Sequence, residues 1–147
     1  MKVYLAARFD RKDEMKKLSL ILISLGIGVT SRWLDEVSNT LCFAQRERFM
    51  EDTAQIDADD VYAADTLVRF SDDLSLPVVS SRWCTGSRME ETGMAYAWGK
   101  RIVIVGGNQS LFDRFPSRIH VQDVTELLEQ LQLMKSQEAE SGGSKTV

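Results

Sequence analysis

Three short runs in this chain are apolar at nearly every successive position: Lys2-Val-Tyr-Leu-Ala-Ala7, Thr66-Leu-Val-Arg-Phe70 and Arg101-Ile-Val-Ile-Val105. A strand of that kind must be covered on both faces, which is the condition of a parallel sheet held between layers of helices. The intervening segments supply the helices. After Arg11 the period changes, and Met15, Leu18, Leu20, Ile21, Ile23 and Leu25 fall mainly on one helical face before Gly26 stops it. A charged helical stretch runs from Phe43 to Ala64, another helix covers Gly86 to Lys100, and Leu127, Leu128, Leu131 and Met134 mark a last one near Val124 to Met134. Ile27 to Trp33 reads as a second strand, Arg118 to Val121 as a fifth, and Ser71 to Thr85 as an exposed loop.

The expected architecture is therefore α/β, a doubly wound parallel five-stranded sheet of flavodoxin-like order with helices on both faces. One domain is expected over residues 1–135, followed by a disordered tail over 136–147, where Ser-Gly-Gly-Ser breaks any apolar period. In such sheets ligands bind beyond the carboxyl ends of the strands, at the switch in strand order. That rule selects Ala7 to Lys12, Ser71 to Arg88 and Gly106 to Ser110.

Composition removes several function classes. With 147 residues, 44% of them hydrophobic, the chain is long enough to bury a core. No apolar run approaches the roughly 20 residues of a membrane span, and the opening residues lack a signal-peptide pattern. A net charge of −4 disfavours broad binding to a nucleic acid polymer. Cys42 and Cys84 suit free thiols in a reducing cytoplasm, and His120 is the sole histidine, so neither a disulfide scaffold nor a metal site is expected. No dinucleotide or Walker pattern is present, and no cofactor is expected.

Carboxylates remain. In Thr85-Gly-Ser-Arg-Met-Glu-Glu-Thr-Gly-Met-Ala-Tyr-Ala-Trp-Gly-Lys100, Ser87 and Glu90 have capping-box spacing, which explains Glu90 but leaves Glu91 at the first helical turn beside the crevice. In Asp57-Ala-Asp-Asp-Val-Tyr-Ala-Ala-Asp65, Asp59 and Asp60 read as a solvated face and Asp65 as a turn residue. Asp57 is the acid placed to reach past its helix. Arg8 and Arg11 fit equally as solvated charges or as partners of an anion.

The segment from Gly86 to Lys100, followed by Ile-Val-Ile-Val-Gly106, resembles the signature of the nucleoside 2-deoxyribosyltransferase-like family, which includes deoxynucleoside 5′-monophosphate N-glycosidases. Tyr4-Leu-Ala6, Asp57 with Ala64-Asp65, Thr30-Ser-Arg-Trp33 and Asn108 to Pro116 are similar to further parts of it, so the likeness runs from about residue 1 to 132. The resemblance implies cleavage or transfer of the N-glycosidic bond of a nucleoside or its 5′-monophosphate. Glu91 would be the nucleophile of a covalent glycosyl-enzyme intermediate and Asp57 the assisting acid. Tyr4, Ala6, Arg8, Thr85, Gly86, Ser87, Arg88 and Asn108 would bind substrate. Thr85 stands where the family's transferases carry an acid that holds the sugar 5′-hydroxyl. A hydroxyl residue there is similar to the nucleotide hydrolases and suits phosphate. The resemblance also implies a homodimer or larger homo-oligomer. A non-catalytic protein binding a nucleotide or signalling ligand on the same scaffold is the alternative.

Overall fold

A computed structural model of the chain describes residues 1–36, 43–72 and 87–142. Five strands, β1 (Lys2–Ala6), β2 (Gly28–Val29), β3 (Thr66–Phe70), β4 (Arg101–Val105) and β5 (Arg118–Val121), form one all-parallel sheet in the order β2-β1-β3-β4-β5. Four helices, α1 (Lys12–Ser24), α2 (Phe43–Ala63), α3 (Ser87–Ala97) and α4 (Val124–Gly142), complete the expected flavodoxin-like α/β fold. Strand order reverses between β1 and β3, so the crevice opens over their carboxyl ends.

The core follows from the apolar runs. Val3 to Ala6, all of β3 and Ile102 to Val105 are buried. α2 and α3 pack against each other and against β1. α1 and α4 are joined elsewhere, where Lys135 Nζ donates to the Leu25 carbonyl at 2.8 Å.

Three details differ from the sequence reading. The second strand is only two residues long, because the side chains after it bind β1 in place of a ladder. Ser31 Oγ accepts from Leu5 N at 2.7 Å, and Trp33 Nε1 donates to Leu5 O at 2.8 Å, within a 3₁₀ turn over Arg32–Asp35. In α1 the buried residues are Met15, Leu18 and Leu22, while Leu20, Ile21 and Ile23 are exposed. Period alone assigned these to the wrong stripe, since every position from Leu20 to Ile23 is apolar. Residues 136–142, expected as tail, continue α4. Ser136 Oγ bonds Gln132 O, and Glu138 pairs with Arg101 and the Met1 ammonium.

The floor of the crevice is stitched. Ser71 N donates to Val105 O at 2.9 Å and Ser71 Oγ to Gly107 O at 2.5 Å, tying the chain after β3 to the chain after β4. Gly106 has φ +92°, and a Cβ there would meet Ser71 Cβ at 3.3 Å, so both backbone conformation and the close approach select glycine.

Candidate active site

β1 points Tyr4 toward the α2/α3 layer, where it meets two acids from different helices. Tyr4 Oη donates to Glu91 Oε1 at 2.9 Å, and both residues are buried. Glu91 lies one turn into α3, and Asp57 lies on α2, half-buried, with its Oδ1 atom enclosed and without a hydrogen-bond partner among the described residues. Spacing in sequence hides this grouping, which closes over 87 residues.

Burial dominates the electrostatics. Desolvation pushes Glu91 up from 4.5 to about 8; the Tyr4 hydrogen bond and the Arg88 charge oppose it, and Asp57 adds to it. Asp57 is raised from 3.8 to about 6, first by burial and then by the nearby charge of Glu36, with Tyr4 and Arg32 opposing. The Tyr4 hydroxyl is itself driven far above its usual value by burial and by the two carboxylates, so it stays a proton donor. Three titratable groups whose environments all favour the protonated form therefore lie within reach of one another's charge.

Asp60 corrects the reading of a solvated face. It is 5% exposed and accepts from Arg32 Nε at 2.7 Å and Arg32 N at 2.8 Å, while Thr30 Oγ1 donates to its carbonyl at 2.9 Å. Arg32 Nη2 also reaches Ile56 O at 3.4 Å. The contacts of Arg32 thus flank Asp57 on α2, and the segment Thr30 to Trp33 joins that helix to β1. Asp65, exposed, accepts from Lys2 N at 2.6 Å and fixes the start of β1.

At the carboxyl edge lies a charged group that sequence reasoning did not single out. Asp72, two residues past β3, binds Arg88 through both oxygens, one of them 2.7 Å from Nη1. It also lies 3.9 Å from Arg8 Nε, and Arg8 pairs with Asp10 at 2.9 Å. The Arg88 guanidinium, with help from Gln109 and Arg8, holds Asp72 below the usual carboxylate range despite partial burial. Arg88 is 4% exposed, and its Nε has no acceptor among the described residues. The available signal was position, since Asp72 is the first acid in a crevice segment that the topology rule selects.

Of the other expected binding residues, Ala6 is fully buried at the end of β1, while Ser87 and Asn108 are exposed at the start of α3 and beyond β4. Thr85, Gly86 and both cysteines lie outside the described residues, as does most of the expected loop over Ser71 to Thr85. His120 is exposed on β5, its Nε2 at 2.8 Å from the Asp113 carbonyl. Among the described residues no group of three or more His, Cys, Asp or Glu is placed to hold a metal ion, and no helix is long and apolar enough to cross a membrane. A separate cavity of about 310 Å³ opens between α3 and the turn at Leu111–Arg114; Tyr96, Phe112, Phe115 and Arg118 line it, and neither Glu91 nor Asp57 does.

No family model matches the chain, and no curated protein matches it. Solved structures do. A CMP N-glycosidase from Clostridium botulinum superposes with a TM-score of 0.56 at 20% identity, over 90% of this chain and 99% of that one. A 2-deoxyribosyltransferase from Bacillus psychrosaccharolyticus gives 0.58 at 18% identity, over 86% and 90%. Both share the fold of this chain.

Proposed function

We propose that the chain cleaves or transfers the N-glycosidic bond of a nucleoside or nucleotide, through a covalent glycosyl intermediate on Glu91. The observation that carries this reading is the hydrogen bond from Tyr4 to a buried Glu91 beside Asp57. Two fold neighbours support it, one described as a CMP N-glycosidase and the other as a 2-deoxyribosyltransferase.

The chemistry follows from the placement of one proton. Glu91 and Asp57 titrate as a coupled pair, and the reactive form holds a single proton between them. Burial favours the proton on Glu91, raised to about 8 against about 6 for Asp57, so the form that reacts, with the charge on Glu91 and the proton on Asp57, is the minor one-proton form. As the bond from C1′ to the base nitrogen breaks, its electron pair leaves with the base and Asp57 delivers the proton. The sugar gains oxocarbenium character, which the Glu91 carboxylate stabilises before closing a bond to C1′. In the second half, water or another base attacks C1′, the Glu91 ester bond breaks, and Asp57 takes up the proton that the attacking group releases. Water gives hydrolysis and a base gives transfer.

Arg8, Ser87, Arg88 and Asn108 border the same crevice and suit the sugar end of such a substrate. Exposed Tyr96, Leu111 and Phe112 support a homodimer or larger assembly, which light scattering on the purified chain measures.

The test is release of free base from a panel of deoxynucleosides, ribonucleosides and their 5′-monophosphates. Glu91→Ala is expected to abolish it, and a 2-fluoro sugar analogue is expected to leave an adduct on Glu91 visible by mass spectrometry. Equal release by the variant, or an analogue that binds without an adduct, would overturn the nucleophile and favour a binding protein.

A further inference from the structure

We infer that Asp72 selects the 5′ side of the substrate, so that the chain takes a free nucleoside and discriminates against its 5′-phosphate. This inference rests on the proposed reading of Glu91 and names the substrate class within it.

Arg88 sits three residues before Glu91 on α3, about 4.5 Å along the helix axis. A furanose with C1′ at Glu91 therefore extends its far side toward Arg88. In a bare cleft Arg88 and Arg8 would make that end a phosphate site, as their positions after β1 and at the start of α3 suggest. The cleft is not bare. Asp72 binds the Arg88 guanidinium through both oxygens and lies 3.9 Å from Arg8, whose other partner is Asp10. The two guanidiniums are matched by two carboxylates already present in the chain.

A phosphate arriving there meets a carboxylate in the position it needs. It must either lie against that charge or pull Asp72 away from a guanidinium that is 4% exposed. Both routes oppose binding. A 5′-hydroxyl meets no such barrier. An ionised carboxylate only accepts hydrogen bonds, and Asp72, with its side chain 19% exposed, presents lone pairs to a neutral donor while Arg88 holds it in place.

Binding to Glu91→Gln separates this question from turnover. Titrated with the common deoxynucleosides and their 5′-monophosphates, this variant is expected to bind each nucleoside at least about tenfold more tightly than its monophosphate. Asp72→Asn, added to it, keeps an acceptor for Arg88 but removes the charge, and is expected to erase or reverse that ratio. Tighter binding of the monophosphates, an unchanged ratio in the Asp72→Asn protein, or no binding of either class overturns the inference. Should Asp72→Asn fail to fold, the ratio measured without it still decides. Base release that survives Glu91→Ala, with the binding ratio as expected, counts against the reaction and not against Asp72.

Discussion

Tyr4 Oη lies 2.9 Å from Glu91 Oε1, a buried hydrogen bond between a strand and a helix residue 87 positions apart. It is the contact that opposes burial most strongly at Glu91. Tyr4→Phe removes it, so the Glu91 carboxyl ionises at a higher pH than in the parent. The acid limb of kcat/KM against pH is expected to move upward, with base release near neutrality falling by about one to two orders of magnitude. An acid limb that stays in place would separate Tyr4 from the ionisation of Glu91.

Asp57→Asn removes both the proposed proton donor and a charge that raises Glu91. The parent is expected to show a bell-shaped profile with its maximum between about 6 and about 8, the span of the two raised values. The variant is expected to lose the alkaline limb and roughly 10²- to 10⁴-fold in rate for nucleosides with poor leaving bases. Substrates whose base departs without protonation are expected to suffer much less.

Stability responds to the same groups with a definite sign. Folded Glu91 holds its proton more tightly than the unfolded chain does, so its favourable contribution is complete below 4.5 and is lost as pH rises to about 8. Asp57 adds a smaller loss between 3.8 and about 6. Thermal unfolding is expected to show Glu91→Gln gaining Tm over the parent across that rise, with the two converging in acid. A constant difference in Tm across the range would mean that Glu91 is not desolvated.

Away from the crevice, Arg69 Nη2 and Asp113 Oδ2 form a pair at 2.5 Å with side chains 1% and 2% exposed. Asp113 also accepts from Gln109 N and Ser110 N at 2.8 and 3.0 Å. Arg69→Met strands a buried carboxylate and is expected to cost about 3–5 kcal/mol in urea unfolding. Asp113→Ala is expected to cost a similar amount. The double variant should cost less than the sum of the two.

The Arg32 to Asp60 contact ties the turn after β2 to the helix that carries Asp57. Asp60→Ala is expected to lower stability by about 1–3 kcal/mol, since Arg32 N and Arg32 Nε lose their carboxylate acceptors. It is also expected to lower kcat more than it raises KM, because Asp57 is displaced. Asp60→Asn should restore only part of either, because its amide offers one acceptor oxygen where Arg32 presents two donors.

Sequence made the sheet legible because continuous apolar runs admit few other uses, and β3 and β4 begin and end where those runs do. It failed at β2, where Ser31 and Trp33 bond to Leu5 through side chains that propensity does not weigh. Glu91 and Asp57 were legible by resemblance. The part of Tyr4 depended on which face of β1 meets α3. Asp72 was missed because its importance comes from Arg88, and nothing in the spacing of the two announces a shared charge. Asp60 was misread for the same reason, its partner lying 28 residues earlier.

The stitch from Ser71 to Val105 and Gly107, fitted against Gly106, divides labour within this small protein. It fixes the platform on which the crevice stands while leaving the side chains that rise from its edge, Asp72 and Arg88 among them, exchangeable one at a time. A lineage built on such a platform can change which molecule it accepts without moving the proposed nucleophile. Substrate range and catalytic geometry are then free to evolve at different rates.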